Sequence, residues 1–382
     1  MIYFDNAATS FPKPSPVIER VTECLTSCGG NAGRGAYRSS LKAAQTLYEC
    51  RAAAADFFGA DSPERVIFTG GATAALNLAI KGSVKAGDHV LISDLEHNAV
   101  FRPVYALAKA GVVTYDVFPT FATDPSATTA RILRGIEERI RPNTRVLVCT
   151  HASNICSVVL PAREIGMLCR RHRIRFLLDA AQSAGHLNVN LAHIGADAIC
   201  VPGHKGLLGP QGAGLLILGK RTVLNTVIEG GSGVHSLDPD MPEEPPERYE
   251  AGTLPLPAIV GMREGLRTVS EQGIDSIRTH ETALWYHLAG RLQELPHIRV
   301  AVPTAAGSVL LFYADNMPSE SLAAKLDERG FSLRAGFHCA AIAHRTIGTP
   351  PSGAVRASFG RENTIGETDA LAEAVAEIVS EN

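Results

Sequence analysis

Asp197-Ala198-Ile199-Cys200-Val201-Pro202-Gly203-His204-Lys205-Gly206-Leu207-Leu208-Gly209-Pro210-Gln211-Gly212-Ala213-Gly214 is the stretch that decides how this chain folds. An apolar, β-leaning segment from Ala198 to Val201 delivers the chain into a glycine-rich turn. One lysine stands in that turn with no acid beside it. The nearest preceding carboxylate is Asp197, and none follows until Glu229. A lysine away from counter-charges loses its proton more easily, and flanking glycines let a flat ligand approach the backbone. Those are the needs of a lysine that forms a Schiff base with an aldehyde.

Working upstream, the same layout recurs. Arg175-Phe176-Leu177-Leu178 is a strand that ends in Asp179-Ala180-Ala181-Gln182, and Arg145 to Thr150 is a buried strand followed by Asn154. His89 to Ser93 is a strand ending at Glu96-His97. Arg65 to Thr69 leads through Gly70-Gly71 into a helix bearing Thr73, a turn whose free N–H groups and helix dipole suit a phosphate. That turn is neither G-x-x-x-x-G-K-[ST] nor G-x-G-x-x-G, which argues against an NTPase or a dinucleotide fold. Strands alternating with helices imply an α/β protein: a mostly parallel central sheet with helices on both faces. In such sheets ligands sit beyond the carboxyl ends of the strands, where Thr73, His97, Asn154, Asp179 and Lys205 all fall.

The flanks complete the outline. A helix is expected from about Val17 to Ser27, then a polar loop with Asn31 and Arg34 as candidate contacts. Ser39 or Ser40 is expected to cap a long helix running to about Phe58. Gly214 to Gly219 reads as a strand, antiparallel or at the sheet edge. Residues 229–255 form a long loop with an acidic patch, of the kind that is functional or lies at an interface. From about Pro257 the chain is helical through Glu294. A smaller α+β C-terminal unit completes the chain: strand Ser308 to Tyr313, helix Ser319 to Arg329, strands at Ser332-Leu333-Arg334 and Ala354 to Phe359, and a terminal helix from Ile365. The expected division is a large cofactor-binding domain over 15–256 and a small domain made of 1–14 and 257–382.

Composition narrows the function. The chain has 382 residues, 45% of them hydrophobic and 20% charged, and a net charge of −3, an ordinary enzyme-like balance. No basic field marks a nucleic-acid partner, and no apolar run is long enough for a membrane span. With no signal-peptide pattern at Met1-Ile2-Tyr3-Phe4-Asp5, a cytoplasmic protein is the expectation. Eight cysteines are scattered without CxxC pairs, against a disulfide framework or a zinc site, so no metal is expected.

Several motifs, taken in order, carry a family resemblance. They are Phe4-Asp5-Asn6-Ala7-Ala8-Thr9, Phe68-Thr69-Gly70-Gly71-Ala72-Thr73, Glu96-His97-Asn98-Ala99, Asp179-Ala180-Ala181-Gln182 and Gly203-His204-Lys205. Further along stand Tyr249-Glu250-Ala251-Gly252-Thr253, Arg334-Ala335-Gly336-Phe337-His338-Cys339-Ala340 and Val355-Arg356-Ala357-Ser358. The chain resembles the cysteine desulfurase and selenocysteine lyase branch of the fold-type I pyridoxal-phosphate enzymes, in the class V aminotransferase group. The resemblance implies pyridoxal 5'-phosphate held as an internal aldimine by Lys205, with Asp179 pairing with the pyridine nitrogen so that the ring acts as an electron sink. It implies that Gln182 bonds the ring hydroxyl, that His97 stacks on the ring, and that Asn154 lies near ring hydroxyl and substrate. Ala72, Thr73, His204 and a partner subunit's Thr253 would bind the phosphate, which implies a homodimer.

By the same resemblance Arg356 would clamp the substrate carboxylate, with Arg334 close by. Cys339 would accept sulfur from L-cysteine as a persulfide and pass it to an acceptor protein, leaving alanine. The short connection from Cys339 to Arg356 matches members with a short, ordered cysteine loop. Pro202, Gly71-Ala72 and Phe337 depart from the usual pattern, where a hydroxyl residue, a more hydroxyl-rich turn and a histidine are common. Substrates other than cysteine, such as selenocysteine or cystine, and aminotransferase or epimerase chemistry, stand as alternatives.

Overall fold

Apolar runs without alternation belong to strands buried on both faces, and the chain builds its centre from them. The computed structural model describes residues 1–33 and 35–381; Arg34, a candidate contact, lies outside the described residues. The chain opens with strand β1 (Ile2–Tyr3) and helices α1 (Ser15–Ser27) and α2 (Arg38–Phe58). Then come β2 (Val66–Thr69), α3 (Ala72–Ser83), β3 (Asp88–Ser93), α4 (Asn98–Lys109), β4 (Val113–Phe118) and α5 (Thr129–Glu137). They are followed by β5 (Thr144–Thr150), α6 (Ala162–His172), β6 (Arg175–Asp179), α7 (Leu191–Ile194), β7 (Ala198–Pro202) and β8 (Gly214–Leu218). The remainder is α8 (Leu256–Gln272), α9 (Ile274–Gln293), β9 (Ile298–Val300), β10 (Val309–Ala314), α10 (Ser319–Glu328), β11 (Phe331–Ser332), β12 (Arg334–Gly336), α11 (Ala341–Ile347), β13 (Ala354–Ser358) and α12 (Ile365–Ser380).

Seven strands form the large sheet in the order β2-β8-β7-β6-β5-β3-β4. Its neighbours are parallel except at β8, which runs antiparallel to both β2 and β7. The strand expected at 214–219 is therefore antiparallel but interior. One face packs Leu147, Leu178, Ile199 and Val201 against α2, α6 and α8; the other packs Val90, Val148, Leu177 and Cys200 against α3 and α4. Burying these two faces removes the sheet's apolar side chains from water, at roughly 25 cal/mol per Å².

The second sheet is antiparallel, ordered β12-β13-β10-β9, and its core joins Leu310, Phe312, Val355 and Ala357 to α9, α10 and α12. Phe4 is buried in that core, and β1 runs parallel to β11, so the N-terminus is sewn to the C-terminal third of the chain. The terminal helix α12 starts at a capping box in which Thr364 and Glu367 satisfy each other's backbone N–H groups.

Three expectations are corrected. Helix α2 begins at Arg38 with Tyr37 as its N-cap and no side-chain cap; the Ser40 hydroxyl instead donates to the Asn31 carbonyl (2.7 Å), inside the helix. The helix expected over 257–294 is broken at Gly273, whose φ of +83° a helix interior does not accept. Ser332-Leu333-Arg334 is not one strand, because the chain changes partners at Leu333: Ser332 pairs with Tyr3, and Arg334 pairs with Arg356.

Candidate active site

Parallel strands all deliver their carboxyl ends to one edge of the sheet. The Gly70–Thr73 turn, Glu96–His97, Asn154, Asp179 with Gln182, and His204–Lys205 lie at or just beyond the ends of β2, β3, β5, β6 and β7 respectively. The lysine turn closes on itself as Leu208 N donates to the Lys205 carbonyl and Gly209 N to the Gly203 carbonyl (both 2.8 Å). It is pressed against the turn after β6. A Cβ on Gly206 would lie 2.3 Å from the Ala184 carbonyl oxygen, and one on Gly185 would lie 2.1 Å from the Gly206 carbonyl oxygen. Glycine at both positions is what lets the turn bearing Lys205 approach the turn beyond Asp179.

Burial sets the protonation of this pair. Burial pulls the Lys205 ammonium down from its usual range to about 8, with Arg356 and Arg334 adding to the effect and Asp179 and Asp5 opposing it. Burial pushes the Asp179 carboxyl up, against its hydrogen bond from Ala181 N (2.9 Å) and the charge of Lys205. Desolvation outweighs mutual attraction at both ends, so neither charge is fully satisfied by the other.

His97 is the N-cap of α4, and its Nδ1 accepts from Ala99 N (3.0 Å). That bond leaves the proton on Nε2 of the neutral ring. Burial, then Lys205, Arg334, Arg356 and Arg102, holds the imidazole down at about 4, so it is uncharged at neutral pH. At β2 the chain enters α3 through Gly71, with φ +141°, and a Cβ on Gly70 or Gly71 would meet nothing within 4 Å. The helix N-terminus is thus open, with Thr73 exposed on it. Buried Gln182 donates its amide N–H to the Ala7 carbonyl (3.0 Å) and keeps its oxygen as an acceptor. The His204 carbonyl collects Ser10 N (3.1 Å), the Thr9 hydroxyl (3.1 Å) and Lys13 Nζ (2.9 Å), tying the N-terminal segment to the lysine turn.

The small unit brings two arginines and a thiol to the same edge. Arg356 is 1% exposed; its Nη1 donates to the Asn154 carbonyl (3.0 Å) and its Nη2 to Asp5 Oδ1 (2.6 Å). Its neighbour in register, Arg334, points Nη2 at the Cys339 sulfur (3.4 Å). Cys339 is the one exposed cysteine among the described residues; Cys24, Cys50, Cys149, Cys156, Cys169 and Cys200 are buried, and burial raises the pKa of each of those six thiols. The thiol's loop has two successive left-handed residues, His338 (φ 49°) and Cys339 (φ 56°), each costing about 1–2 kcal/mol. Two hydrogen bonds from the large unit offset that cost: Asn98 N to the Cys339 carbonyl (2.7 Å) and Asn154 Nδ2 to the His338 carbonyl (2.9 Å).

Thr253 is exposed, and its hydroxyl accepts from Asn31 Nδ2 (3.3 Å). Its loop is anchored by Glu250, which takes two bonds from buried Arg51 (2.7 and 2.8 Å) and one from Phe68 N (2.6 Å). Sequence reasoning missed the parts played by Asp5 and Glu96. Asp5 sits in the Phe4-Asp5-Asn6 motif, but its partner lies 351 residues away. Glu96 is fully buried and accepts from the Ser93 hydroxyl and from Thr150 N (3.0 Å), tying the end of β3 to that of β5.

A mostly parallel sheet with a lysine and a buried acid at its carboxyl edge, roofed by a smaller antiparallel unit, defines a fold-type I transferase scaffold. The chain belongs to the class-V aminotransferase family, whose profile matches residues 2–371. It is 33% identical over 99% of its length to a probable cysteine desulfurase of Methanothermobacter thermautotrophicus, covering 94% of that protein. It is 32% identical over 99% of its length to a probable cysteine desulfurase of Mycolicibacterium paratuberculosis, of which it spans 55%. Among solved structures it matches the apo cysteine desulfurase of Thermococcus onnurineus with a TM-score of 0.90 and 28% identity, covering all of this chain and 95% of that one.

Proposed function

We propose that the chain is a pyridoxal-phosphate-dependent cysteine desulfurase that converts L-cysteine to L-alanine and carries the sulfur on Cys339. The observation that carries this reading is the meeting of three groups: a partly buried lysine beside a buried acid, an arginine fork, and an exposed thiol on a clamped loop.

The residues fit the cofactor. Lys205 and Asp179 are each held off their ordinary pKa values by burial, which suits an amine that reacts neutral and a carboxylate that faces a ring N–H⁺. The open N-terminus of α3, with Ala72 and Thr73, suits a phosphate, and His204 Nδ1 is buried without a partner. Neutral His97 presents an uncharged ring for stacking, and Gln182 and Asn154 each keep a side-chain oxygen to accept from a ring hydroxyl. Thr253 would join the phosphate contacts from a partner subunit in a homodimer. When bound, the cofactor withdraws electrons from the amino acid's α-carbon.

Every further step belongs to the chain. Arg356, fixed at Asn154 and Asp5, directs the substrate carboxylate and so orients the sulfur toward Cys339. Lys205 Nζ takes the α-proton and later returns a proton to the product carbon. The Cys339 sulfur attacks the substrate sulfur: an S–S bond forms, the C–S bond breaks, and its electron pair stays with the carbon skeleton. The carbon is reduced to a methyl group, the sulfur is oxidised to the persulfide level, and an acceptor protein or a thiol discharges it. Arg334, in contact with the thiol, is the cation beside the reacting sulfur.

The test is L-cysteine turnover by the cofactor-loaded enzyme with and without a thiol reductant, following alanine and sulfide. Cys339→Ala should form no protein persulfide and lose at least about 100-fold in alanine formation. A Cys339→Ala enzyme that makes alanine at the wild-type rate refutes the persulfide route and favours direct C–S lysis.

A further inference from the structure

Behind the thiol loop lies a row of groups that the proposed reaction does not use. His338 and His344 are both 2% exposed, and their rings lie edge to edge, with centroids 5.2 Å apart and planes 12° from parallel. His338 Nε2 lies 3.0 Å from the Arg334 carbonyl, His338 Nδ1 lies 3.0 Å from His344 Nε2, and His344 Nδ1 lies 2.8 Å from the Thr349 hydroxyl.

The direction of every bond in this row is fixed by its first member. A carbonyl only accepts, so His338 Nε2 carries the proton and donates to Arg334. The neutral ring's Nδ1 must then accept, which puts the next proton on His344 Nε2. That leaves His344 Nδ1 to accept from Thr349. Burial, then Arg356, holds His338 down at about 3 and His344 at about 4, so neither ring gains the second proton that would set donor against donor. The chain begins at the residue whose guanidinium touches the Cys339 sulfur and passes through the residue next to Cys339. It ends at Thr349, just beyond Gly348, the C-cap of α11. Phe337 closes the outer side, edge-on to His344 at 5.4 Å.

We propose that His344 and Thr349 are positioning residues for the sulfur-accepting thiol: through His338 they form a one-way hydrogen-bond chain that holds the 334–340 loop in its left-handed conformation with Cys339 beside Arg334. This inference rests on the sulfur-transfer role proposed for Cys339. The side-chain hydrogen bonds of His344 and Thr349 reach the loop through His338, and the His344 ring also packs against Phe337.

The holoenzyme and three variants, His344→Leu, His344→Gln and Thr349→Val, test it. Imidazole nitrogen NMR of the wild type at pH 7 should show His338 and His344 both neutral and protonated on Nε2. His344→Leu should lower kcat for L-cysteine roughly 10- to 100-fold while the KM changes little and the cofactor's visible band is retained. His344→Gln, whose amide N–H can replace the Nε2 donor, should recover to within about threefold of wild type, and Thr349→Val should fall between the two. An Nδ1-protonated His344, a His344→Leu enzyme with wild-type kcat, or a His344→Gln enzyme no faster than His344→Leu each overturns the proposal. Should His344→Leu fail to fold, the wild-type tautomers and the Gln and Val variants decide it. A wild-type enzyme that makes no alanine from L-cysteine sinks the desulfurase reading instead, and the tautomers then decide the hydrogen-bond chain separately.

Discussion

Arg356 gives one arm of its guanidinium to Asp5 (2.6 Å) and the other to the carbonyl of Asn154 (3.0 Å), while its Nε is buried without a partner. One side chain on β13 is thus gripped by the N-terminal segment and by the loop after β5. Lysine in its place would supply a point charge but not a planar fork. Arg356→Lys should raise the KM for L-cysteine by roughly 10- to 100-fold, the worth of about 1.5–3 kcal/mol for a charge-assisted hydrogen bond. Asp5→Asn should have a smaller effect in the same direction, because the amide oxygen still accepts. Steady-state kinetics decides; an unchanged KM in Arg356→Lys excludes the clamp.

Lys205 is the second test, and its burial sets the sign. The folded amine titrates at about 8, so below that pH its reactive neutral fraction falls about tenfold per unit. Pyridoxal phosphate added to cofactor-free protein should therefore attach slowly at pH 6, faster at pH 7, and level off above about pH 8. Stopped-flow absorbance near the visible edge measures it, and Lys205→Ala should show no such phase. A rate still climbing tenfold per unit at pH 9–10 would mean that the lysine titrates as an ordinary surface amine.

The lysine turn was legible because glycines, apolar strand and lone amine fall in one contiguous run, and the strand ends at Asp179, Asn154 and His97 repeat the pattern. Helix ends set by tertiary contacts were not legible. Ser40 has a good capping chemistry but spends its hydroxyl on Asn31, so α2 starts earlier. Strand β4 carries Thr114 and Asp116 among its apolar residues, and no expectation covered it. The partners Asp5–Arg356 and Asn154–His338 are joined only by the fold, across 351 and 184 residues, so no local pattern announces them.

Glu96 is a third test, of the frame and not of the chemistry. Burial, with Asp179 adding to it, pushes this acid up to about 8, so it is largely protonated in the folded protein at pH 7. Glu96→Gln keeps shape and acceptor and should stay within about 1 kcal/mol of wild type at pH 7. Glu96→Ala strands the N–H of Thr150 and the Ser93 hydroxyl and should cost about 2–4 kcal/mol. The folded pKa lies above the unfolded value of 4.5, so the folded state binds the extra proton between 4.5 and about 8, and this group's stabilisation fades as pH rises through that window. Urea unfolding of the cofactor-free protein at pH 6 and 8 reads both effects. A Gln variant as unstable as the Ala variant contradicts a protonated Glu96.

The buried histidines act in the opposite sense. Burial holds His151 and His344 at about 4 and His338 at about 3, with Arg356 adding to it for the last two, whereas in the unfolded chain each titrates near 6.5. Below about pH 6.5 the unfolded state therefore takes up protons that the folded state refuses, and stability falls as pH drops toward 4. At pH 5 each such ring can withdraw up to about 2 kcal/mol relative to pH 7. His186 runs the other way: burial pulls it down, but its pairing with Glu281 (2.9 Å) outweighs that, so its contribution is strongest at low pH. His97 and His204, also held at about 4, and His89, likewise pulled down by burial, act with these three. The protonated Glu96 opposes them alongside His186. The rings' combined loss is the larger, and the urea midpoint of the cofactor-free protein should drop between pH 7 and pH 5. His344→Gln should flatten that slope by one ring's share. A His344→Gln slope equal to that of the wild type would mean that this ring is already solvated and charged, and the neutral chain behind Cys339 could not exist in solution.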